Sequence, residues 1–292
     1  MLTLAICVLL NSLIGVIFKF FEKYSIDNFQ AIVTNYFVCV LTAAFTIKGN
    51  PIPTPVYGQV WFGYAVVLGV LFIIVFNIMA LAVQKSGVMM ATIFQKMSLI
   101  APAILAIFFY GESSGLYKWM GIIMAIGAIA LLSYQSESDK SVDVKTKPTK
   151  HLLFPLLTFL GSCLIDSSIF LIEKQGFVEN GDIGFVASLF FFAAVSGLIF
   201  LIYNVAMGKT KIYLKNIIAG ICLGIPNFYS IYFLFLALQQ GIEGSVVFPV
   251  NNAGVLLLAS VYGILIFKEK INFYKMAGFI LAVISIFIIT LA

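Results

Sequence analysis

GESSGLYKWMG at residues 111–121 and KEKINFYKMAG at residues 268–278 are two copies of one helix ending. In each, a glutamate (Glu112, Glu269) is followed at a fixed spacing by Tyr-Lys (Tyr117-Lys118, Tyr274-Lys275). A glycine (Gly121, Gly278) then falls inside a new apolar run, and every equivalent pair lies 157 positions apart. Working outward, Leu13-Ile14 and Glu22-Lys23 recur 151 positions on as Leu164-Ile165 and Glu173-Lys174. Gly69 and Leu81-Ala82-x-Gln84 recur 155 positions on as Gly224 and Leu236-Ala237-x-Gln239. Any one match between two leucine-rich segments means little. Three sets in the same order, carrying charged or amide residues, mark a duplicated unit.

The unit is a membrane one. Hydrophobic residues make up 62% of the chain and charged residues 10%, with a mean hydropathy of +1.10, against roughly 25% charged in soluble domains. A bilayer-spanning helix takes about 20 mostly apolar residues, and ten such runs can be read, at about 2–21, 29–47, 59–83, 87–110, 116–134, 152–172, 183–204, 216–239, 244–267 and 273–291. They are too long and too continuous for the alternating segments of a β-barrel. The first is read as a retained span rather than a secretory leader, because no basic residue precedes it and Asn11-Ser12 interrupts it. The expected fold is therefore an all-α integral membrane protein of ten transmembrane helices. The first repeat occupies 1–134, a polar linker (QSESDKSVDVKTKPTK) 135–150 and the second repeat 151–292. Five spans per copy is an odd number, so the second copy must enter the bilayer upside down. That makes two inverted five-helix repeats, an arrangement that places a transport site at the repeat interface.

The net charge of +5 comes from 17 lysines with no arginine. Thirteen of them lie in or beside alternate connections, at 19 and 23, 85, 140–150, 209–215 and 268–275. The positive-inside rule makes that face cytoplasmic and both termini external. Nucleic acid is not an expected partner. Cys7, Cys39, Cys163 and Cys222 all fall inside spans without a CxxC spacing and read as buried apolar residues.

The paired helix endings, the 5+5 arrangement and the near absence of loops resemble the drug/metabolite transporter superfamily, in its ten-helix EamA-like branch. The likeness covers essentially the whole chain. It implies a basket of ten helices, with a central cavity lined by spans one, three, four, six, eight and nine and the others as outer support. It also implies export or exchange of small metabolites such as amino acids, without nucleotide hydrolysis. Several branches are drawn with both termini cytoplasmic, opposite to the lysine census.

Polar residues within spans mark the candidate site, because charge at bilayer depth costs roughly 2.5–3.5 kcal/mol and turns toward a cavity or partner. Lys96 and Asp166 qualify, and a salt bridge between them is one expected arrangement. Gln95 and Thr92 share the face of Lys96, while the equivalent stretch of span nine carries Pro249, Asn251 and Asn252. Because proline frees a carbonyl, residues 246–252 are expected to unwind locally. Asn11, Asn77, Asn227, Tyr229 and Tyr232 add neutral hydrogen-bonding groups. Gly220 and Gly224 form a small-xxx-small pair suited to close helix packing. The expected substrate contacts are thus Lys96, Gln95, Asp166, Asn251, Asn252, Asn11, Asn77, Asn227, Tyr229 and Tyr232, with Asp166 also a candidate proton carrier.

Catalytic chemistry is not expected. Residues 111–115 fit G-x-S-x-G, but the pattern needs a strand-turn-helix elbow and a histidine base, and the only histidine is His151 at the linker edge. No HExxH, Cys/His cluster or Walker sequence occurs, so no cofactor or metal is expected. The reading is a secondary transporter in a bacterial plasma (inner) membrane, working by alternating access on a small-molecule substrate in contact with membrane lipid, with protons as a candidate coupling ion. A lipid or lipid-linked sugar flippase is the alternative, and an intramembrane enzyme a more distant one. Oligomeric state is not specified by these residues.

Overall fold

The structure is a computed structural model that describes residues 2–110, 115–133, 150–178, 182–241, 244–269 and 271–291. Glu112, the G-x-S-x-G serine Ser113 and nearly all of the polar linker lie outside the described residues. Eleven helices follow in order: α1 Leu2–Lys23, α2 Asn28–Ile47, α3 Phe62–Ser86, α4 Val88–Lys96, α5 Ile100–Tyr110, α6 Leu116–Ser133, α7 Lys150–Lys174, α8 Ile183–Ala206, α9 Leu214–Gln239, α10 Gly244–Leu265 and α11 Phe273–Leu291. They make ten spans, since α4 and α5 are the two parts of span four, joined by a 3-10 turn at Met97–Leu99. Seven spans are long and apolar enough to cross a bilayer by length and composition, and three shorter apolar helices complete the set. No strand forms among the described residues.

The second helix of each repeat starts where an aspartate supplies an acceptor. Asp27 accepts from Gln30 N–H at 3.1 Å to cap α2, and Asp182, its equivalent 155 positions on, accepts from Gly184 N–H at 2.7 Å to cap α8. Large apolar side chains such as Phe45, Phe108, Ile199, Ile202 and Ile280 remain on the outer surface, where lipid removes any penalty for their exposure.

Helix pairing respects the duplication. Exchange of the two repeats carries the α3–α7 contact onto α9–α1, α3–α8 onto α9–α2 and α4–α7 onto α10–α1, while α2–α8 and α6–α11 map onto themselves. Equivalent glycines make equivalent contacts. A Cβ added to Gly69 of α3 would lie 2.8 Å from the Ala193 backbone nitrogen of α8, and one added to Gly224 of α9 would lie 2.8 Å from the Asn35 carbonyl of α2. Gly121 of α6 seats against α11 at Ile289, and Gly278 of α11 seats against α6 at Ala128 and Leu132. Gly220 adds a further notch on α9, against Thr34, as its spacing from Gly224 predicts.

The apolar interior divides into two main cores, and neither coincides with a repeat. One joins α1, α2, α3, α8 and α9 through Phe18, Tyr36, Ile73, Phe190 and Leu223. The other joins α4, α5, α6, α10 and α11 through Phe94, Met97, Ile100, Ala125, Leu256 and Ile286. Between them stands α7, in contact with α3, α4 and α5.

Two expectations change. The unwinding expected at residues 246–252 is absent, because α10 runs unbroken from Gly244 to Leu265, and the break falls in span four instead. A proline so close to a helix start removes one bond from a ladder that has barely begun. In span four, Pro102 has no N–H to offer the Ser98 carbonyl one turn earlier, and the Cys163 thiol lies 3.8 Å from that oxygen instead. The cysteines also differ from expectation: Cys7 and Cys39 are buried, Cys163 is half-buried, and Cys222 faces outward.

Candidate functional site

Two chambers meet at the middle of the bundle. The outer one, about 880 Å³, is lined among others by Gln95, Lys96, Ser98, Pro102, Ser162, Asp166, Phe170, Glu173, Phe248 and Asn252. Its remaining residues, including Lys118 of α6 and Ile289 of α11, lie toward the membrane face that carries the chain termini. The inner one, about 230 Å³, is lined by Asn11, Tyr36, Phe72, Phe76, Phe190, Asn227 and Ser230. Gln95, Lys96, Ser162, Asp166 and Ile169 border both chambers. They form the partition between the two.

The 3-10 turn builds that partition. It ends α4 directly after Lys96 and turns the Ser98 hydroxyl toward α7, where it donates to the Asp166 carboxylate. Lys96 and Asp166 border the same space without coming within the 4.0 Å of an ion pair. The salt bridge expected from the sequence is therefore not formed in this state. One cation and one anion, held on facing helices and each turned to the cavity, can receive opposite charges from a single solute.

Residues 153–291 match the EamA-like transporter family. That match spans almost the whole of the second repeat and none of the first. An uncharacterized protein of Haemophilus influenzae is 27% identical over 291 residues, covering 97% of this chain and 96% of its own. A protein of known crystal structure superposes with a TM-score of 0.60 over 98% of this chain and 94% of its own at 14% identity, a likeness of fold alone.

In the structure, the residues singled out from sequence separate into groups. Lys96, Gln95 and Asp166 stand in the partition, Asn252 borders the outer chamber, and Asn11 and Asn227 border the inner one. Asn251 is buried and accepts from the Cys7 thiol at 3.3 Å, joining α10 to α1. Asn227 also donates to Asn35 Oδ1 at 3.1 Å, joining α9 to α2. Asn77 donates to the carbonyl of Ile73 in its own helix at 2.8 Å and borders neither chamber. Tyr229 and Tyr232 form an aromatic group with Phe228 and Phe233 and border neither chamber, and the Tyr229 hydroxyl accepts weakly from Thr46 at 3.4 Å.

The lining is also wider than the resemblance implies. Lys118 of α6, Ile289 of α11, Tyr36 of α2 and Phe190 of α8 each reach a chamber from a helix expected to be outer support. The residue that sequence reading missed is Ser98. Its signal was Pro102, four positions on, which marks where the helix ladder fails.

Proposed function

We propose that this protein is a secondary transporter of small zwitterionic metabolites of the amino-acid class, an exporter or exchanger working by alternating access. The observation that carries the reading is the partition: Lys96 and Asp166 face one cavity from two helices without closing an ion pair. A solute carboxylate meets Lys96 and its ammonium meets Asp166, while Gln95 and Asn252 supply neutral hydrogen bonds. Binding such a solute offsets the desolvation of both charges at once. Asp166, when not engaged by substrate, is the group we assign to carry a coupling proton.

The bodies that move are the two cores rather than the two sequence repeats. Parting the repeats would break α1–α9 together with α2–α9 and α6–α11, the last two seated on glycines. Rocking the α4, α5, α6 and α11 group with α10 against the α1, α2, α3, α8 and α9 group leaves those contacts whole. Under the positive-inside rule the lysine-rich face is cytoplasmic, which makes the state described here open to the outside of a bacterial inner membrane.

A flippase needs a lateral opening into the site. An apolar groove of about 470 Å³ does lie between α1 and α10, at Leu4, Val8, Gly254 and Leu257, but it shares no lining residue with either chamber. The deciding experiment is flux in proteoliposomes with a panel of amino acids and a labelled phospholipid. Uptake that follows an amino-acid or proton gradient supports the reading. Lipid scrambling without amino-acid flux, or product formation in detergent without any gradient, overturns it.

A further inference from the structure

The face that carries most of the lysines has a recess of its own. It measures about 270 Å³ and is lined by Lys19 near the end of α1, Lys85 near the end of α3 and Lys275 near the start of α11. The duplication shows what is unusual about it. Lys275 and Leu132 of the recess correspond to Lys118 and Ile289 at a spacing of 157, and Lys19 corresponds to Phe170 at a spacing of 151. All three equivalents line the outer chamber. The recess is therefore the counterpart, on the opposite face, of the mouth of that chamber. Two of its cations have no counterpart: Lys19 stands where the other repeat has Phe170, and Lys85 where it has Gln240, 155 positions on.

The charges are arranged to receive an anion. The Lys19 ammonium donates to Glu22 at 2.7 Å and to the Gln84 carbonyl at 2.9 Å, which fixes it at the edge of the recess with one of its three donors remaining. Lys85 is exposed and meets no carboxylate among the described residues. One carboxylate, Glu269, also lines the recess, but both its oxygens are engaged at the start of α4. They accept from the Val88 N–H at 2.6 Å and the Met89 N–H at 3.4 Å, where the helix dipole favours a negative charge. The anion's place is thus left to the lysines.

The rest of the lining is apolar. Met90, Leu132, Phe267 and Ile271 share the recess with the cations, and the helices that carry Leu132 and Lys275 expose Ile126 and Ile280 to the bilayer. A cationic corner beside an apolar wall fits a phosphate joined to glycerol and acyl chains. Basic pockets between helices on a cytoplasmic face are suited to such headgroups, and lysine binds phosphate as a point charge. We propose that the recess is a binding site for a singly charged phosphate group, held by Lys19, Lys85 and Lys275 at the lysine-rich face and separate from the two chambers at the middle of the bundle.

The test measures binding and involves no transport, so it stands apart from the amino-acid reading. Full-length protein in an uncharged detergent is titrated with short-chain phosphatidylglycerol, with phosphatidylcholine of the same chain length and with inorganic phosphate. The thermal midpoint is read at each concentration, since a ligand of the folded state raises it. The expected result is a saturable rise with phosphatidylglycerol and none with phosphatidylcholine. Lys85→Gln with Lys275→Gln should raise the half-saturating concentration about tenfold. Lys85→Gln alone, at an exposed position where folding is not at risk, should raise it severalfold. Lys209→Gln with Lys211→Gln removes the same charge from the same face, in the connection between α8 and α9, and should leave the curve where it was. A response to phosphatidylglycerol alone assigns the site to a lipid headgroup, and an equal response to inorganic phosphate assigns it to a soluble phosphate. Phosphatidylcholine binding as well as phosphatidylglycerol, no saturable response to any of the three, or equal losses in the two lysine pairs overturns the site.

Discussion

Span four and α10 occupy equivalent places in the two repeats, and the duplication puts Gln95-Lys96 opposite Asn251-Asn252. Yet span four is broken after Lys96 by a 3-10 turn, while α10 is one continuous helix, and only span four carries a charge at mid-membrane. The two walls share Lys96 and Asn252 at the rim of one chamber. Their second residues part company, with Gln95 facing both chambers and Asn251 buried against Cys7. What the difference teaches is that the duplication set the scaffold, while within each pair of equivalent helices the charge was placed on one member only. The α1/α7 pair tells the same story: Gly15 packs close to Val88, and its equivalent is Asp166, the anion of the partition.

The severest way to break this comparison is to remove the charge. Lys96→Ala is expected to reduce substrate-gradient flux in proteoliposomes to the background of empty liposomes, with membrane expression retained. Flux at the native rate would remove the central cation from the account. Moving the charge sharpens it further. In Lys96→Asn with Asn252→Lys, the cation crosses to the other wall of the same chamber, and measurable flux should return relative to Lys96→Asn alone. If it does not, the break in span four matters as much as the charge it presents.

A step down, Ser98→Ala strips Asp166 of its hydroxyl donor, a hydrogen bond to a charged group worth about 1.5–3 kcal/mol. Substrate affinity should fall about tenfold, read from the half-saturating concentration for flux, while Ser98→Thr keeps most of it. Gly69→Ala and Gly224→Ala address the symmetric scaffold. Each forces a Cβ onto a facing backbone, and overpacking of that kind costs about 1–3 kcal/mol, so the two should lower the thermal midpoint in detergent by similar amounts. Unequal losses would show that the repeats do not share the load. The smallest effect belongs to Asn77→Ala, since Asn77 bonds its own helix. Stability should change within about 0.5 kcal/mol and flux should hold.

Most of the architecture could be read from residues alone, for a physical reason. A bilayer accepts few structures, so ten apolar runs and an odd number per repeat leave little choice of fold. The chamber's charged residues were also legible, because a charge at bilayer depth is conspicuous. What could not be read was direction. Asn77, Asn251 and Tyr232 have the composition of cavity residues, but a side chain's facing depends on helix rotation, which packing sets and periodicity in a uniformly apolar helix does not reveal. The two prolines were equally ambiguous: Pro102 accompanies a break and position 249 does not, because the break depends on what else can satisfy the freed carbonyl. Glu269 was recognised as part of a repeated ending, but its partner could not be read, since it lies 181 positions away at Val88.

The reciprocal glycine seats carry a consequence for assembly. Gly69 of the first half fits the second half at Ala193, and Gly224 of the second half fits the first at Asn35, with Gly121 and Gly278 doing the same along α6 and α11. Each half is thus both lock and key for the other. Two separately translated five-helix fragments, divided within residues 135–150, would keep all of these seats intact and are expected to reassociate in the bilayer.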